Sequence, residues 1–213
     1  DHWMRLEIVA AAAPAPSAPS GVGRAPTPPP RGEPLQVALE PAQLMVEAGS
    51  VAQLGVRILN RQQQVDHLSV VVEGLPATWI KQPENDLRLA PGDTGVVTLS
   101  IQPPREPTSS AGSHTFQVKV ASRADPAHAA VASASLNVAP FHALSLEMRP
   151  TTLVNVGQAA LRVRNRGNSA ETVSLIGTDP SEALNLGITR PQFTLQAGEE
   201  QIINFPVTTK AKR

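Results

Sequence analysis

One phrase occurs twice in this chain, and it restricts the fold more than any other feature. Its first copy is Leu87-Arg88-Leu89-Ala90-Pro91-Gly92-Asp93-Thr94-Gly95-Val96-Val97-Thr98-Leu99-Ser100-Ile101. Pro91-Gly92 makes a tight turn, because proline pre-sets one φ and glycine accepts a positive one. Beyond the turn, Val97, Leu99 and Ile101 alternate with Thr98 and Ser100, the period of a strand with one buried face. The second copy is Phe193-Thr194-Leu195-Gln196-Ala197-Gly198-Glu199-Glu200-Gln201-Ile202-Ile203-Asn204-Phe205. A strand–turn–strand phrase that returns after about a hundred residues marks a duplicated β unit, not a short-period solenoid.

The rest of the chain arranges itself around these two copies. Residues 1–9 hold a lone strand, Trp3 to Val9, with Met4, Leu6 and Ile8 on one side and Arg5 and Glu7 on the other. A single strand is not stable alone. It is expected to end a preceding domain or to be donated to a neighbouring molecule. Residues 10–34 are Ala/Pro/Ser/Gly-rich, with Pro28-Pro29-Pro30, and read as an extended, semi-stiff spacer.

Residues 35–138 carry rows of alternating aliphatics. The clearest are Ala52, Leu54, Val56 and Ile58; Leu68, Val70 and Val72; Phe116, Val118 and Val120; and Ala132, Ala134, Leu136 and Val138. Turn residues separate them at roughly ten-residue intervals, and no helical period intervenes. That pattern predicts an antiparallel β-sandwich of the immunoglobulin-like class. Residues 139–143 form a hinge, and residues 144–213 restart the unit. Leu161-Arg162-Val163-Arg164-Asn165-Arg166 echoes Val56-Arg57-Ile58-Leu59-Asn60-Arg61.

The second copy has nothing to match the strands Phe116–Val120 and Ala132–Val138. A sandwich lacking its last strands has an open edge. The expectation is that the chain continues past Arg213, or that another chain supplies the missing strands beside an assembly edge at Ile203, Phe205 and Val207. The opening Asp1-His2-Trp3, without an initiating Met or a signal peptide, reads as a fragment or a processed product. The expected fold is therefore all-β: two tandem immunoglobulin-like sandwiches, the second incomplete, behind a Pro/Ala-rich linker.

Composition excludes several function classes. Lys and Arg total 18 and so do Asp and Glu, so the basic surface expected of a nucleic-acid binder is missing. Cys is 0, which removes disulfides, thiolate metal sites and a Cys nucleophile. No apolar run is long enough to span a bilayer as a helix. Aromatics are 3% of the chain, few for a sugar-stacking surface.

Three phrases carry a family resemblance: Gly74-Leu75-Pro76-Ala77-Thr78-Trp79, Leu89-Ala90-Pro91-Gly92-Asp93, and Ala111-Gly112-Ser113-His114-Thr115-Phe116. The chain resembles the NEW3 family of bacterial tandem immunoglobulin-like modules, found beside glycosidases and in large membrane proteins. His114 stands where that family often carries Tyr. The resemblance implies non-catalytic spacer, adhesive or docking modules at the cell envelope or outside the cell; a cytoplasmic setting stays open.

Candidate chemistry is sparse. His2, His67, His114, His128 and His142 form no metal-ligand spacing. Asp93, Asp125 and Asp179 sit where turns need them, and Asp86 lies nearby; calcium would require carboxylates converging in one loop. Ser109, Ser110 and Ser113 lie near His114, but no nucleophile elbow or third triad member accompanies them. No catalytic, metal or cofactor-binding residue is expected. Trp79 reads as a plug at one end of a sandwich rather than a ligand platform. Arg57, Arg162, Arg164 and Arg166 occupy outward strand positions, either as solvated faces or as a surface for an acidic partner or a membrane. The leading expectation is a structural or adhesive module that assembles with other subunits or copies of itself through strand edges. The rival is a carbohydrate- or envelope-ligand-binding accessory module attached to an enzyme.

Overall fold

A computed structural model describes residues 5–12, 33–81, 87–151 and 157–210. The chain is all-β, built as immunoglobulin-like sandwiches, and it divides into two compact units. The first strand, β1 (Arg5–Ala12), belongs to the second unit although it opens the chain.

The first unit holds β2 (Leu35–Glu40), β3 (Gln43–Glu47), β4 (Ala52–Asn60), β5 (Asp66–Glu73), β6 (Ile80–Lys81), β7 (Leu87–Leu89), β8 (Thr94–Ile101), β9 (Gly112–Ser122) and β10 (Ala129–Ala139). One sheet has the order β2-β4-β8-β6 and the other β3-β10-β9-β5-β7. Pro41 interrupts the first row of aliphatics, and at that break the chain changes sheets. β2 pairs with β4, whereas β3 runs parallel to β10. All other pairings in the unit are antiparallel.

Alternation puts Leu54, Val56, Ile58, Leu99 and Ile101 on the inner face of one sheet, and Leu68, Phe116, Val118, Val120, Leu136 and Val138 on the other; each is buried. Removing such side chains from water contributes about 1.5–3 kcal/mol apiece. A single 3₁₀ turn, Ala77–Trp79, breaks the all-strand pattern, and it places Trp79 in the core.

The second unit contains β11 (Leu144–Arg149), β12 (Gly157–Asn165), β13 (Glu171–Thr178), β14 (Leu184–Leu186), β15 (Gln192–Leu195) and β16 (Glu200–Thr209), together with β1 and the loop Glu106–Ser110. Its sheets are β11-β12-β16-β14 and β1-β13-β15. The core combines Ala159, Leu161, Val163, Ile203, Phe205 and Val207 from one sheet with Val173, Leu175 and Leu195 from the other.

Two points of the N-terminal strand are settled here. It finds a partner within the chain, β1 pairing antiparallel with β13. It also runs on through Ala10, Ala11 and Ala12, three residues assigned from sequence to the spacer, because the β13 ladder continues opposite them to Glu171. Ile203, Phe205 and Val207 are buried in the core of the second unit. Their strand β16 pairs with β12 along Glu200–Val207, while β14 lies opposite Val207, Thr208 and Thr209 alone, so among the described residues no strand pairs with Ile203 or Phe205 on that side.

Candidate functional site

The two units share a pattern of strand pairing, and its register identifies corresponding positions. In the first, Asp66 pairs with Leu89 and Leu68 with Leu87; in the second, Glu171 pairs with Leu195 and Val173 with Phe193. β13 is therefore the counterpart of β5, and β15 that of β7. On the other side of β5 runs β9, with Val70 opposite Val120 and Val72 opposite Val118. On that side of β13 runs β1, with Leu175 opposite Ile8 and Gly177 opposite Leu6. β1 thus occupies the place of β9.

In the first unit β9 is itself covered by β10 over ten register pairs. Among the described residues, nothing covers the outer side of β1. An outermost strand presents unpaired backbone N–H and C=O groups at every second residue, a template for one more strand. Leu6 and Ile8, singled out from sequence as a donated strand, lie in this edge strand; Met4 lies outside the described residues.

What holds the repeated turn was not visible in the repeat itself. Asp93 N–H donates to Ala90 O at 3.0 Å, and Glu199 N–H to Gln196 O at 3.0 Å, closing both turns. Gly92 and Gly198 take φ of 82° and 78°, the conformation for which glycine is the ordinary choice. Each turn is fastened to an asparagine that ends a strand, Asn60 in β4 and Asn165 in β12. Asn60 Nδ2 donates to Gln64 O and Leu89 O, both at 3.0 Å, while its Oδ1 accepts from Gln62 N–H at 2.9 Å. Asn165 repeats the arrangement with Ser169 O at 2.8 Å, Leu195 O at 3.2 Å and Gly167 N–H at 2.8 Å. Both are fully buried. The signal was present in the sequence as an Asn at one place in both copies.

The remaining sequence candidates do structural work. Trp79 is 4% exposed, and its ring meets His114 edge-on with centroids 5.7 Å apart, so neither indole face is open to a sugar. Ser113 and His114 are successive residues of β9 and project to opposite faces. Ser109 is fully buried, and its carbonyl accepts from Asn168 Nδ2 at 2.8 Å within the second unit.

Asp125 Oδ1 accepts from Ala127 N–H at 3.1 Å, and its Oδ2 lies 3.6 Å from His128 Nδ1. Asp179 is more heavily engaged. It accepts from the Ser181 hydroxyl at 2.7 Å, Ser181 N–H at 3.0 Å, Ala183 N–H at 2.7 Å and Leu184 N–H at 2.8 Å. These bonds, the Ser181 hydroxyl foremost, favour the ionised form and lower its pKa to about 2.

Buried Asp66 is held by Ser122 Oγ and Gln62 Nε2, both at 2.7 Å, and buried Glu171 lies 3.2 Å from His142 Nδ1. Arg57 pairs with Glu40 at 3.3 Å on the surface. Among the described residues, no three metal-ligating side chains come together. Among the described residues, no helix is long and apolar enough to cross a membrane. His2 and Asp86 lie outside the described residues.

No family model matches the sequence, and no curated protein does. Solved structures that the chain matches include a protein of unknown function from Porphyromonas gingivalis W83, 19% identical, covering 82% of this chain and 83% of that one with a TM-score of 0.35. The YadV chaperone is 11% identical, with coverages of 83% and 86% and a TM-score of 0.34. The SrpA adhesin of Streptococcus sanguinis is 10% identical, with coverages of 68% and 90% and a TM-score of 0.36.

Proposed function

We propose that this chain is a non-catalytic assembly module that joins other protein subunits, or copies of itself, by strand pairing at the cell envelope. The observation that carries the reading is the unequal closure of the two sandwiches. In the first unit the strand beside β5 is flanked on both sides. In the second its counterpart, β1, is the outermost described strand of its sheet. Main-chain hydrogen bonding to such an edge supplies affinity without a preformed pocket. The burial of Trp79 supports an interaction role over carbohydrate binding, and the burial of Ser109 supports a non-catalytic one. The envelope setting rests on the resemblance carried by the Gly74–Trp79, Leu89–Asp93 and Ala111–Phe116 phrases.

The test is sedimentation equilibrium on the full chain from about 1 µM to about 1 mM, the range of weak to moderate protein contacts. Two variants accompany it, Glu7→Pro and Ile8→Pro. Successive N–H groups in a strand point to opposite edges, so one proline breaks the ladder with β13 and the other removes only an outward donor. Self-association that the outward-donor variant weakens, with Leu175 still protected from hydrogen exchange, supports the reading. A monomer throughout the range, or association indifferent to both prolines, refutes pairing between copies through this strand.

A further inference from the structure

The outer face of β12 carries charge that its own neighbours do not neutralise. Leu161, Val163 and Asn165 point inward and are buried, so alternation puts Arg162 and Arg164 on the outside; exposed Arg166 follows just past the end of the strand. They line a cleft of about 260 Å³ with Ser145, Glu147 and Glu200. Arg162 is committed: its Nε lies 3.3 Å from Glu200 Oε1 and its Nη1 lies 3.9 Å from Glu147 Oε2. Glu147 also accepts from Arg149 Nε at 2.7 Å. The Arg149 hydrogen bond and charge, with a smaller share from Arg162, hold its carboxyl below the ordinary value. Both carboxylates of the cleft are therefore engaged. Glu200 stands opposite Arg164 in the β12–β16 register, but its carboxylate reaches Arg162. Among the described residues, no ion pair or hydrogen bond joins Arg164 or Arg166 to an acidic side chain.

The first unit serves as an internal control. With Asn60 and Asn165 as equivalent positions, the matching row on β4 and just after it is Arg57, Leu59 and Arg61. Leu59 stands where the second unit has Arg164. The extra guanidinium is thus a feature of one copy, not a demand of the fold.

We propose that this face of β12 binds an extended acidic peptide segment, with Arg164 and Arg166 each taking one carboxylate. Residues two apart along a strand lie about 6.7 Å apart, and carboxylates at i and i+2 of an extended peptide have the same spacing on one face. Each arginine offers a planar fork that fits a carboxylate bidentately. Two guanidiniums without an ion pair fall short of the clusters of roughly four to eight Lys or Arg that hold an anionic bilayer, and suit a short segment with acids at alternate positions. This assignment stands on different residues from the strand-edge reading, so either can fail without the other.

The test is a ¹⁵N chemical-shift titration of the full chain with an acetylated, amidated Glu-Ser repeat peptide, against the matching Gln-Ser peptide. Exposed ion pairs are weak, so the affinity expected is millimolar, with about a fivefold loss at most for each arginine removed. Saturable shifts on β12 should appear with the Glu peptide alone and weaken several-fold between about 50 and about 200 mM salt as the pairs are screened. They should be lost in the double variant Arg164→Ala/Arg166→Ala and persist in Arg57→Ala/Arg61→Ala. Both pairs are exposed, and unchanged amide shifts elsewhere verify the fold. Equal binding of the Gln peptide, unchanged binding by the Arg164/Arg166 double variant, or no saturable shift overturns the proposal. So does binding to phosphatidylglycerol vesicles in the absence of peptide binding.

Discussion

Asn60→Ala is the most informative single substitution for the fold. Its side chain is fully buried and makes three hydrogen bonds: Nδ2 to Gln64 O and Leu89 O at 3.0 Å each, and Gln62 N–H to Oδ1 at 2.9 Å. Truncation leaves two carbonyls and one N–H without this partner. At about 1 kcal/mol for each bond, the loss is about 3 kcal/mol. That is a large share of the 5–15 kcal/mol typical of a domain.

The measurement is urea unfolding followed by tryptophan emission. The chain has only two tryptophans and no tyrosine, so a Trp3→Phe background leaves Trp79 to report on the first unit. With a slope of about 2 kcal/mol per molar urea, the midpoint should fall by about 1.5 M. Asn60→Asp keeps an acceptor for Gln62 N–H but turns a carboxylate oxygen toward two carbonyls, so its midpoint should fall at least as far. A shift below about 0.4 M for Asn60→Ala would mean a cost under about 1 kcal/mol. That result would refute the idea that these bonds hold the repeated turn.

Two further expectations follow from the second unit. Phe205→Ala removes a ring that is 1% exposed; it should destabilise that unit by about 3–5 kcal/mol, read by hydrogen exchange at Leu161 and Leu175. The Asp179 carboxyl should titrate near about 2 in a ¹³C experiment, and Ser181→Ala, which removes the foremost stabilising bond, should move the midpoint upward. Because the folded value lies below the ordinary 3.8, the stabilisation is complete above that value and is lost as pH falls through about 2. Asp179→Asn should therefore destabilise at neutral pH and have little effect in strong acid.

Much of the architecture is legible in the residues. The rows Leu54/Val56/Ile58 and Phe116/Val118/Val120 alternate because one face of each strand is buried, and both rows are in the core. The turns at Gly92 and Gly198 follow from local backbone chemistry, which acts over four residues and needs no tertiary partner. Sequence reasoning missed β14, only three residues long and too short to announce itself, which pairs with Val207, Thr208 and Thr209 at the end of β16.

The sequence by itself determined which residues of the main rows face inward and where the chain turns, and it carries one strand–turn–strand phrase twice. These are properties of side chains and of short-range backbone geometry. Only the tertiary structure decided which strands are neighbours: that β1 lies against β13, that β14 caps the end of β16, and that the carboxylate of Glu200 is taken by Arg162. The reason is physical. Alternation specifies a face, but the hydrogen bonds that choose a neighbour are made by main-chain groups common to every residue.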